Sequence, residues 1–561
     1  LAAAVLTALA SALLLWLYRR AVLRAMNLTI GPRPPNRPPV ADAEPAAAPP
    51  LTVVDLDAGS RPHLDPAART ALHQVKRSLR HTAGVYLVGG LLYALVFASA
   101  WMVLSEGGFL PVRFIWLWVC YSWPIVPALA VATVSDPRRL ALIAGGYGLV
   151  AVIVAAVALV RNPALAPGQL IFFWMYANAP GTLLLLAFLR PRVRAVGPLV
   201  LAFMLTGVTG AALAIQVVGG SDHLLRGWVT VGSALGLGAT ALFILLHLAG
   251  FALFGVLGWI LLRWIGRRYR LKQTSDQSII LDSMWLMFGV VQSITLVFEG
   301  WMWIFTGIVA FAIYKPAVSA GFKWRQRSSG DKIARVSLLL LRVFSLGRRS
   351  EQLFRRLSKQ WLQTGNIGLI AGPDLVTATV EPHEFLDFLS RRLSQRFIRD
   401  EADLHARLSQ IDPGPDPDGR HRVNEFFCHA DTWQMTMTTL AAESRAVMMD
   451  LRSFSPANQG CRYELQELLR RVPLSKVLLV IDAATDRRFL EQTLQLLWAG
   501  VDAASPNRQA TSPAVRVFDL DARSMGNMEV LLQQLVALGE TVVRPADGAG
   551  HIQAIQTGNV S

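Results

Sequence analysis

Charged residues are scarce in this chain of 561 residues: they make up 16% of the sequence, against about 25% in ordinary soluble proteins. This shortage excludes a single soluble globular enzyme. It also excludes general disorder, because disordered chains combine low hydrophobicity with high charge, whereas 53% of these residues are hydrophobic. With a mean hydropathy of +0.40, the composition indicates an integral membrane protein with a soluble part.

Cysteine is the second scarce residue type, with only Cys120, Cys428 and Cys461 in the chain. Their spacing repeats no pattern of a disulfide framework or a zinc knuckle, so we predict neither. No histidine stands close to Cys461 in the sequence, which argues against a catalytic thiol at that position. The soluble part is expected in a reducing compartment.

Positive charge, in contrast, is in excess, with a formal net charge of +16 and a pI near 10.4. Basic chains bind nucleic acids through the phosphates, yet the Lys and Arg residues here stand mainly beside apolar runs. That placement is typical of the cytoplasmic loops of membrane proteins. It favours the lipid bilayer, and not nucleic acid, as the partner of the basic residues.

Nine apolar runs approach the roughly 20 residues that a helix needs to cross a bilayer. They are residues 2–18, 83–104, 114–134, 140–160, 169–189, 197–218, 238–262, 279–298 and 301–318. The first run carries its positive charges behind it, so we expect a membrane span and not a signal peptide. The apolar stretch 228–262 is too long for one upright span, and a tilted helix with an interfacial lead-in would fit it. If 279–318 were not a membrane hairpin, seven spans would remain, so a count of seven to nine spans is open.

The loops between these runs alternate in charge. One set holds twenty Lys and Arg residues, and the opposite set holds only Arg113, Arg161 and Arg226. The positive-inside rule places the first set in the cytoplasm. We therefore predict a multi-pass protein of the plasma (inner) membrane, with the N-terminus outside and the C-terminal region in the cytoplasm.

The same patterns divide the chain into five parts. We predict a first span at 1–18, a cytoplasmic Pro/Ala-rich linker ending in a basic amphipathic helix at 19–82, a polytopic bundle at 83–321, a cytoplasmic α/β domain at 322–545 and a flexible tail at 546–561. Proline-rich segments favour extended conformations, and a basic amphipathic helix favours the membrane surface. The fold class is thus an all-α membrane bundle followed by a soluble α/β domain.

Polar residues inside membrane spans often mark a transport path, and few are present here. They are Asn178, Asp282 and Gln292, with Glu299 at the tip of the last hairpin. The two carboxylates stand near span ends, where they remain solvated, so we expect helix-end and packing roles for all four. No pair of spans shows the charge arrangement of an ion-coupled carrier.

Beyond residue 322, predicted strands alternate with predicted helices at the rhythm of a parallel sheet. The strands are predicted at 338–346, 366–371, 445–451, 476–481 and 515–520. Connections of this kind are right-handed and place helices on both faces of the sheet. The order therefore predicts a doubly wound, flavodoxin-like domain with a five-stranded parallel sheet.

Polar side chains follow these strands at the carboxyl ends, where such sheets bind their ligands. Asp374 follows the second strand, Asp450 and Arg452 the third, Asp482 the fourth and Asp519 the fifth. Several carboxylates at one edge could hold a ribose or a metal ion, and capping of the following helix is the alternative role of each Asp. We predict ligand binding by the first four of these residues and assign no metal site.

The segment after the third strand carries a family resemblance. A loop with serine and proline leads into a Cys-x-x-Glu-Leu helix start at 461–465, followed by another hydrophobic strand. This arrangement resembles TIR domains, in which the glutamate after the cysteine can serve cleavage of the glycosidic bond of NAD. The resemblance implies Glu464 as the catalytic residue and NAD, or another nucleotide, as the ligand. Residues 398–425 are an insertion foreign to that family.

Glu464 has two roles that the residues alone leave open. A carboxylate there could stabilise the oxocarbenium-like centre that forms when a ribosyl bond breaks, as in glycoside hydrolysis. Alternatively, it lies in the first turn of a helix and interacts favourably with the helix dipole. The second role makes the domain a binding module without catalysis.

Three functions follow from these observations. We favour a signalling, sensing or defence protein whose cytoplasmic domain binds a nucleotide or self-associates as a homo-oligomer, without being an enzyme. The reason is that the soluble domain has a recognisable sheet order, whereas the spans lack a coupling site. The alternatives are a transporter or channel with a regulatory domain, and a membrane-tethered hydrolase that cleaves NAD.

Overall fold

The structure is a computed structural model that describes most of the chain. The described residues are 2–28, 49–56, 66–104, 108–133, 137–188, 196–297, 299–328, 337–342, 348–372, 380, 382–411, 413–520 and 525–540. They form a helical bundle, built from residues up to 328, and an α/β domain, built mainly from residues 337–540.

The bundle consists of helices of very different length. Their bounds are α1 Ala2–Met26, α2 Pro66–Val103, α3 Pro111–Tyr121, α4 Ile125–Ala132, α5 Pro137–Arg161, α6 Pro167–Phe188, α7 Gly197–Gly219, α8 Asp222–Ala234, α9 Ala239–Arg270, α10 Asp276–Val297 and α11 Thr306–Ser328. A short 3-10 helix, Trp301–Phe305, joins α10 to α11.

Eight helical segments in the described part of the chain are long and apolar enough to cross a membrane, which indicates a membrane protein. They are Leu72–Val103, Pro111–Ala132, Arg138–Arg161, Pro167–Leu186, Leu199–Gly219, Ala239–Arg270, Asp276–Leu296 and Met302–Arg325. These segments correspond one to one, and in the same order, to the eight predicted runs from 83–104 to 301–318. The first predicted run, 2–18, lies in α1, and its role as a span stays a prediction.

The ambiguous stretch 228–262 contains a helix hairpin. The short helix α8 ends at Ala234, and Gly236 provides the turn to α9 with a φ of +70°, a conformation that favours glycine. A side chain at Gly232 would place its Cβ 2.1 Å from Leu242 Cδ2. The glycine therefore lets α8 fold back closely against α9.

The α/β domain contains a sheet of eight parallel strands in the order β1-β8-β7-β6-β2-β3-β5-β4. The strands are β1 Thr52–Leu56, β2 Leu338–Arg342, β3 Ile367–Ile370, β4 Phe397–Ile398, β5 Val423–Cys428, β6 Ala446–Asp450, β7 Val477–Ile481 and β8 Ala514–Asp519. The helices are α12 Arg348–Trp361, α13 Pro382–Leu389, α14 Glu401–Gln410, α15 Trp433–Glu443, α16 Gln459–Arg471, α17 Arg487–Ala499 and α18 Met525–Glu540.

The prediction of five strands is wrong, because the sheet has eight. The five predicted strands form its contiguous centre, in the flavodoxin-type order two-one-three-four-five. The strands β4 and β5 come from the two ends of the insertion near 398–425 and extend one edge. The strand β1 comes from the predicted linker, 19–82, and pairs with β8 at the other edge, with Val53 opposite Val515.

The sheet is covered on both faces. Successive side chains of a strand point to opposite faces, so Leu338 and Leu340 pack with α12 and α18, whereas Leu339 and Leu341 pack with α15, α16 and α17. A strand that is buried on both faces reads as a continuous hydrophobic run. This explains why the sequence of β2 was recognisable without any alternation.

The α/β domain is fastened to one end of the bundle through the loop 413–422, which precedes β5. Arg422 Nη2 donates to the carbonyl oxygen of Tyr269 at 2.7 Å, and its guanidinium lies 4.0 Å from the centre of the Tyr269 ring. From the turn between α9 and α10, Ser275 Oγ donates to Asp418 Oδ2 at 2.5 Å. Polar groups of this loop therefore find their hydrogen-bond partners in α9 and in the turn between α9 and α10.

Candidate functional site

The strands β2 and β6 are neighbours, and the chain leaves their carboxyl ends in opposite directions. The strand β2 leads through α12 to β3 on one side, whereas β6 leads through α16 to β7 on the other. In doubly wound sheets such a reversal opens a crevice in which ligands bind. Arg342 and Asp450, the last residues of the two strands, are register partners at this point.

Asp450 and Arg452 form a buried ion pair beside the crevice. Arg452 Nε donates to Asp450 Oδ1 at 2.8 Å, and Nη2 donates to Oδ2 at 2.7 Å. Arg452 Nη2 also donates to the carbonyl oxygen of Arg349 at 3.1 Å. These two predicted ligand residues therefore bind each other in the bidentate geometry typical of arginine and carboxylate, and they hold the first turn of α12 against the end of β6.

Asp482 is buried at the end of β7 and is paired with Arg349, whose Nη2 donates to Asp482 Oδ2. Arg349 Nη1 also donates to Ser453 Oγ at 2.9 Å. The other carboxylate oxygen of Asp482 accepts from the amide of Ala484 at 3.1 Å and from the hydroxyl of Thr485 at 3.3 Å. Asp482 therefore stabilises the turn that follows β7 and anchors Arg349, whereas the cap of the following helix α17 is Asp486.

Glu464 lies on the side of α16 that faces the sheet. Its side chain is 2% exposed, and Oε2 has no hydrogen-bond partner in the part of the chain that the structure describes. Burial raises the pKa of the Glu464 carboxyl to about 8, and the neighbouring Arg342 acts in the opposite direction. The carboxyl group is therefore mainly protonated at neutral pH and can donate a hydrogen bond.

Cys461 lies one helical turn before Glu464 and is buried. Burial, together with the carboxyl groups of Glu464 and Asp450, raises the pKa of the Cys461 thiol to about 12. A cysteine acts as a nucleophile only as the thiolate. The environment thus agrees with the argument from the sequence against a catalytic thiol.

Ser350 is a site residue that the sequence argument missed. It is 3% exposed in the first turn of α12, and its Oγ has no partner among the described residues. The helices α12 and α16 cover opposite faces of the sheet, so Ser350 and Glu464 flank the crevice from its two sides. A signal was present, because helical periodicity places Ser350 on the apolar stripe with Leu353 and Leu357.

The other predicted edge residues do not join this cluster. Asp374 lies outside the described residues, so its predicted role stays a prediction. Asp519 ends β8, which is separated from β6 by β7, and it is exposed. Within the described ranges, no group of three His, Cys, Asp or Glu side chains is placed to hold a metal ion.

Two of the polar residues predicted inside the spans meet in the bundle. Gln292 Nε2 donates to Asn178 Oδ1 at 3.0 Å, and the Tyr93 hydroxyl donates to Gln292 Oε1 at 2.9 Å. Asn178 Nδ2 donates in turn to the carbonyl oxygen of Cys120 at 3.0 Å. This buried network connects α2, α3, α6 and α10, as expected of residues with a packing role.

The two carboxylates predicted near span ends have separate environments. Asp282 on α10 is paired with Lys315 on α11, and the Lys315 ammonium also donates to the Ser278 hydroxyl at 3.2 Å. Glu299 is exposed in the turn that follows α10. The Asp282 pair therefore connects the last two helices of the bundle to each other.

No protein-family model, no curated protein and no solved structure matches this chain. The resemblance of residues 461–465 to TIR domains therefore stays a prediction.

Proposed function

We propose that this chain is a membrane-anchored signalling protein whose α/β domain binds a nucleotide in the crevice between β2 and β6. The observation that carries this proposal is the pair of buried polar groups without partners, Glu464 Oε2 and Ser350 Oγ, on the two sides of the crevice. Buried polar groups in native proteins are nearly always hydrogen-bonded. A ligand in the crevice would provide a hydrogen-bond partner for each of these groups.

The groups around the crevice match the parts of a nucleotide. The first turn of α12 offers backbone N–H groups and the positive end of a helix dipole to a phosphate, and Arg349 and Ser350 lie in that turn. On the other side, protonated Glu464 can both donate to and accept from a ribose hydroxyl or a base edge. Arg342 adds a buried positive charge near Glu464.

An NAD-cleaving hydrolase is the less favoured alternative at the same site. Stabilisation of an oxocarbenium-like centre requires an ionised carboxylate, whereas burial raises the pKa of Glu464 to about 8. We therefore propose that the domain binds its nucleotide without cleaving it. Release of nicotinamide from NAD by the purified chain, at a rate that Glu464→Ala abolishes, would establish the hydrolase instead.

Nucleotide binding by the full chain in detergent tests the proposal. We expect NAD, ATP or GTP to raise the melting temperature of the wild-type chain, because a ligand that binds only the folded state stabilises it. Glu464→Leu and Ser350→Leu should weaken binding of that nucleotide about tenfold, as expected for the loss of a ligand hydrogen bond. The matched control is Glu491→Leu, which changes a half-exposed glutamate paired with Arg487.

Two outcomes would contradict nucleotide binding at the crevice. The first is that none of the three nucleotides changes the melting temperature of the wild-type chain at millimolar concentration. The second is that the Glu464 and Ser350 variants respond to the nucleotide as strongly as the Glu491 control, which would place the ligand elsewhere.

We further propose that the α/β domain is cytoplasmic and that the N-terminus lies outside the inner membrane. In support, the domain contacts the bundle at its arginine-rich end: the turn 271–275 after α9 meets the loop 413–422, and His429 Nδ1 donates to the carbonyl oxygen of Ala25 at 2.8 Å. The positive-inside rule assigns such an end to the cytoplasm. Trypsin should then digest residues 322–545 in inverted vesicles and spare them in right-side-out vesicles. The reverse pattern would overturn the orientation.

Self-association is the output that we propose for the signalling domain. The sheet ends in β1, a strand of five residues with an exposed outer edge, and such edges can pair with a strand of another chain. Light scattering of the full chain should show a homo-oligomer that grows when the nucleotide is added. A molecular mass that does not depend on nucleotide would contradict self-association as the output. Nucleotide binding itself is tested separately by the melting temperature.

The transporter or channel is the remaining alternative, and the bundle favours it less. Its buried residues Asn178 and Gln292 bind each other and the neighbouring helices, as packing residues do. A substrate flux through proteoliposomes that depends on these two residues would favour transport over signalling.

A further inference from the structure

A cavity of about 280 Å³ lies between the cytoplasmic end of α9 and the segment that contains α13. Its lining residues come from α9 and from residues 386–392, and they include none of the residues at the crevice between β2 and β6. Both polar and apolar side chains line it, and they come from the bundle on one side and from the α/β domain on the other. The cavity is therefore part of the junction between the two regions.

The charged part of the lining is strongly basic. It contains the guanidinium groups of Arg263, Arg270 and Arg392 and a single carboxylate, that of Asp387. Asp387 is already shared, because Arg270 Nη1 lies 4.0 Å from Oδ1 and Arg396 Nε lies 3.3 Å from Oδ2. Clustered arginines bind phosphate oxygens strongly, so an anion is the ligand that this lining favours.

The apolar part of the lining lies deeper along α9. Trp259 lies eleven residues before Arg270, which corresponds to about 16 Å along a helix that rises 1.5 Å per residue. Around this level, the outer face of α9 presents apolar side chains that are each more than half exposed. They are Leu253, Val256, Leu257, Ile260 and Trp264.

This arrangement matches a lipid better than a soluble anion. A phospholipid has a charged phosphate at the level of the interface and acyl chains at the level of the apolar helix face. Basic pockets of this kind at the cytoplasmic ends of membrane helices bind anionic headgroups. A free phosphate would use the arginines and leave the apolar part of the cavity empty.

The cavity is preformed by close packing of α9 against α13. A side chain at Gly266 would place its Cβ 2.4 Å from Leu386 Cδ1, so the absence of a side chain lets the two helices touch. A lipid held here would contact both helices at once. It would therefore strengthen the attachment of the α/β domain to the bundle.

We propose that this cavity binds the phosphate headgroup of an anionic phospholipid, with its acyl chains along the exposed face of α9. Phosphatidylglycerol is the probe, and phosphatidylcholine is the comparison with a neutral headgroup. The proposal concerns residues separate from those at the sheet edge, so it stands or fails independently of nucleotide binding.

Native mass spectrometry of the full chain in detergent tests the proposal. The wild-type chain should retain one phosphatidylglycerol at a collision energy that removes phosphatidylcholine. Replacing Arg263, Arg270 and Arg392 together by Gln should lower that retention at least tenfold. The matched control is the triple replacement of Arg138, Arg139 and Arg267 by Gln. These exposed arginines lie at the same end of the bundle outside the cavity, and their loss should leave retention unchanged.

A second variant keeps the test decisive if the triple variant does not fold. Ser390→Trp fills the cavity from its rim without removing a positive charge, and it should also abolish retention of phosphatidylglycerol. Equal retention by Ser390→Trp and the wild-type chain would overturn the site. Displacement of the lipid by 10 mM inorganic phosphate would contradict the lipid proposal. It would show that the arginines bind a soluble phosphate.

Discussion

The polar cluster around Asn178 in the bundle and the polar cluster around Glu464 in the α/β domain are both buried, but their hydrogen bonds are completed differently. Asn178, Gln292 and Tyr93 bind one another and a backbone carbonyl. Glu464 Oε2 and Ser350 Oγ, in contrast, have no partner in the described residues. A buried group without a partner costs about 1–3 kcal/mol. The comparison teaches that the first cluster holds helices together, whereas the second leaves two buried polar groups for the ligand that we propose.

The ion pair beside Glu464 provides the largest expected effect. Asp450→Ala leaves the buried guanidinium of Arg452 without its carboxylate, which should lower the free energy of unfolding by about 3–5 kcal/mol. The measurement is denaturation of the full chain in detergent, followed by circular dichroism. The control is Asp502→Ala, which breaks an exposed pair with Arg470 and should cost at most about 1 kcal/mol. Equal effects of the two variants would contradict the structural role assigned to Asp450.

The pH dependence of stability distinguishes Glu464 from ordinary carboxylates. The folded-state pKa is about 8 and the ordinary value is 4.5, so the folded state holds a proton that the unfolded state has lost. The stabilisation of the folded state by this proton is full below pH 4.5 and is lost as the pH rises through 8. Between pH 6 and 8, the wild-type chain should lose about 2.3 kcal/mol relative to Glu464→Gln, because the slope of about 1.4 kcal/mol per pH unit decreases as Glu464 ionises in the folded state near pH 8.

A second buried carboxyl group titrates near the lower limit of this interval. Burial raises the pKa of Asp416 to about 6, against the effect of Arg422, and its titration affects the wild-type chain and Glu464→Gln equally. Glu491→Gln should follow the wild-type curve. Parallel curves for the wild-type chain and Glu464→Gln would show that Glu464 is not held in its protonated form.

The junction between the two regions offers an intermediate effect. Ser275→Ala removes the hydroxyl that donates to the buried carboxylate of Asp418 at 2.5 Å, and a hydrogen bond to a charged group contributes about 1.5–3 kcal/mol. We expect faster hydrogen exchange in the loop 413–422 and a loss of stability of that size. The control is Ser409→Ala, whose hydroxyl bonds only within its own helix, to Ala406. Unchanged exchange in the loop would show that this contact does not fasten the domain.

The bundle network should give the smallest effect. A double-mutant cycle with Asn178→Ala and Gln292→Ala should yield a coupling energy of about 0.6 kcal/mol, the average for polar pairs between membrane helices. The reason is that the unfolded state in the membrane also finds partners for these groups. A coupling above about 3 kcal/mol, measured by unfolding in detergent, would show that this cluster does more than pack helices.

The elements that the sequence predicted are those whose signal is local. A membrane span is recognised from about 20 consecutive apolar residues, and the runs from 83–104 to 301–318 each correspond to a helical segment. The central strands were recognised for a similar reason, because Leu338–Leu341 and Val477–Ile481 are buried throughout and read as unbroken hydrophobic runs.

The elements that the sequence missed depend on distant partners. The strand β1 is largely exposed and forms only because Thr52 lies beside Ala514 in the register with β8. The strand β4 has two residues, Phe397–Ile398, and is defined by its pairing with β5. Neither short edge strand carries a periodicity that a local pattern can detect.

The candidate site divides in the same way. The sequence by itself determined that Asp450, Arg452, Asp482 and Glu464 stand after strands at the ligand-binding edge, because that follows from the order of strands and helices. Only the tertiary structure decided that the first two neutralise each other, that Glu464 is left without a partner and that Ser350 faces the same crevice. The physical reason is that burial and hydrogen bonding depend on distances between residues far apart in the chain, which no local pattern contains.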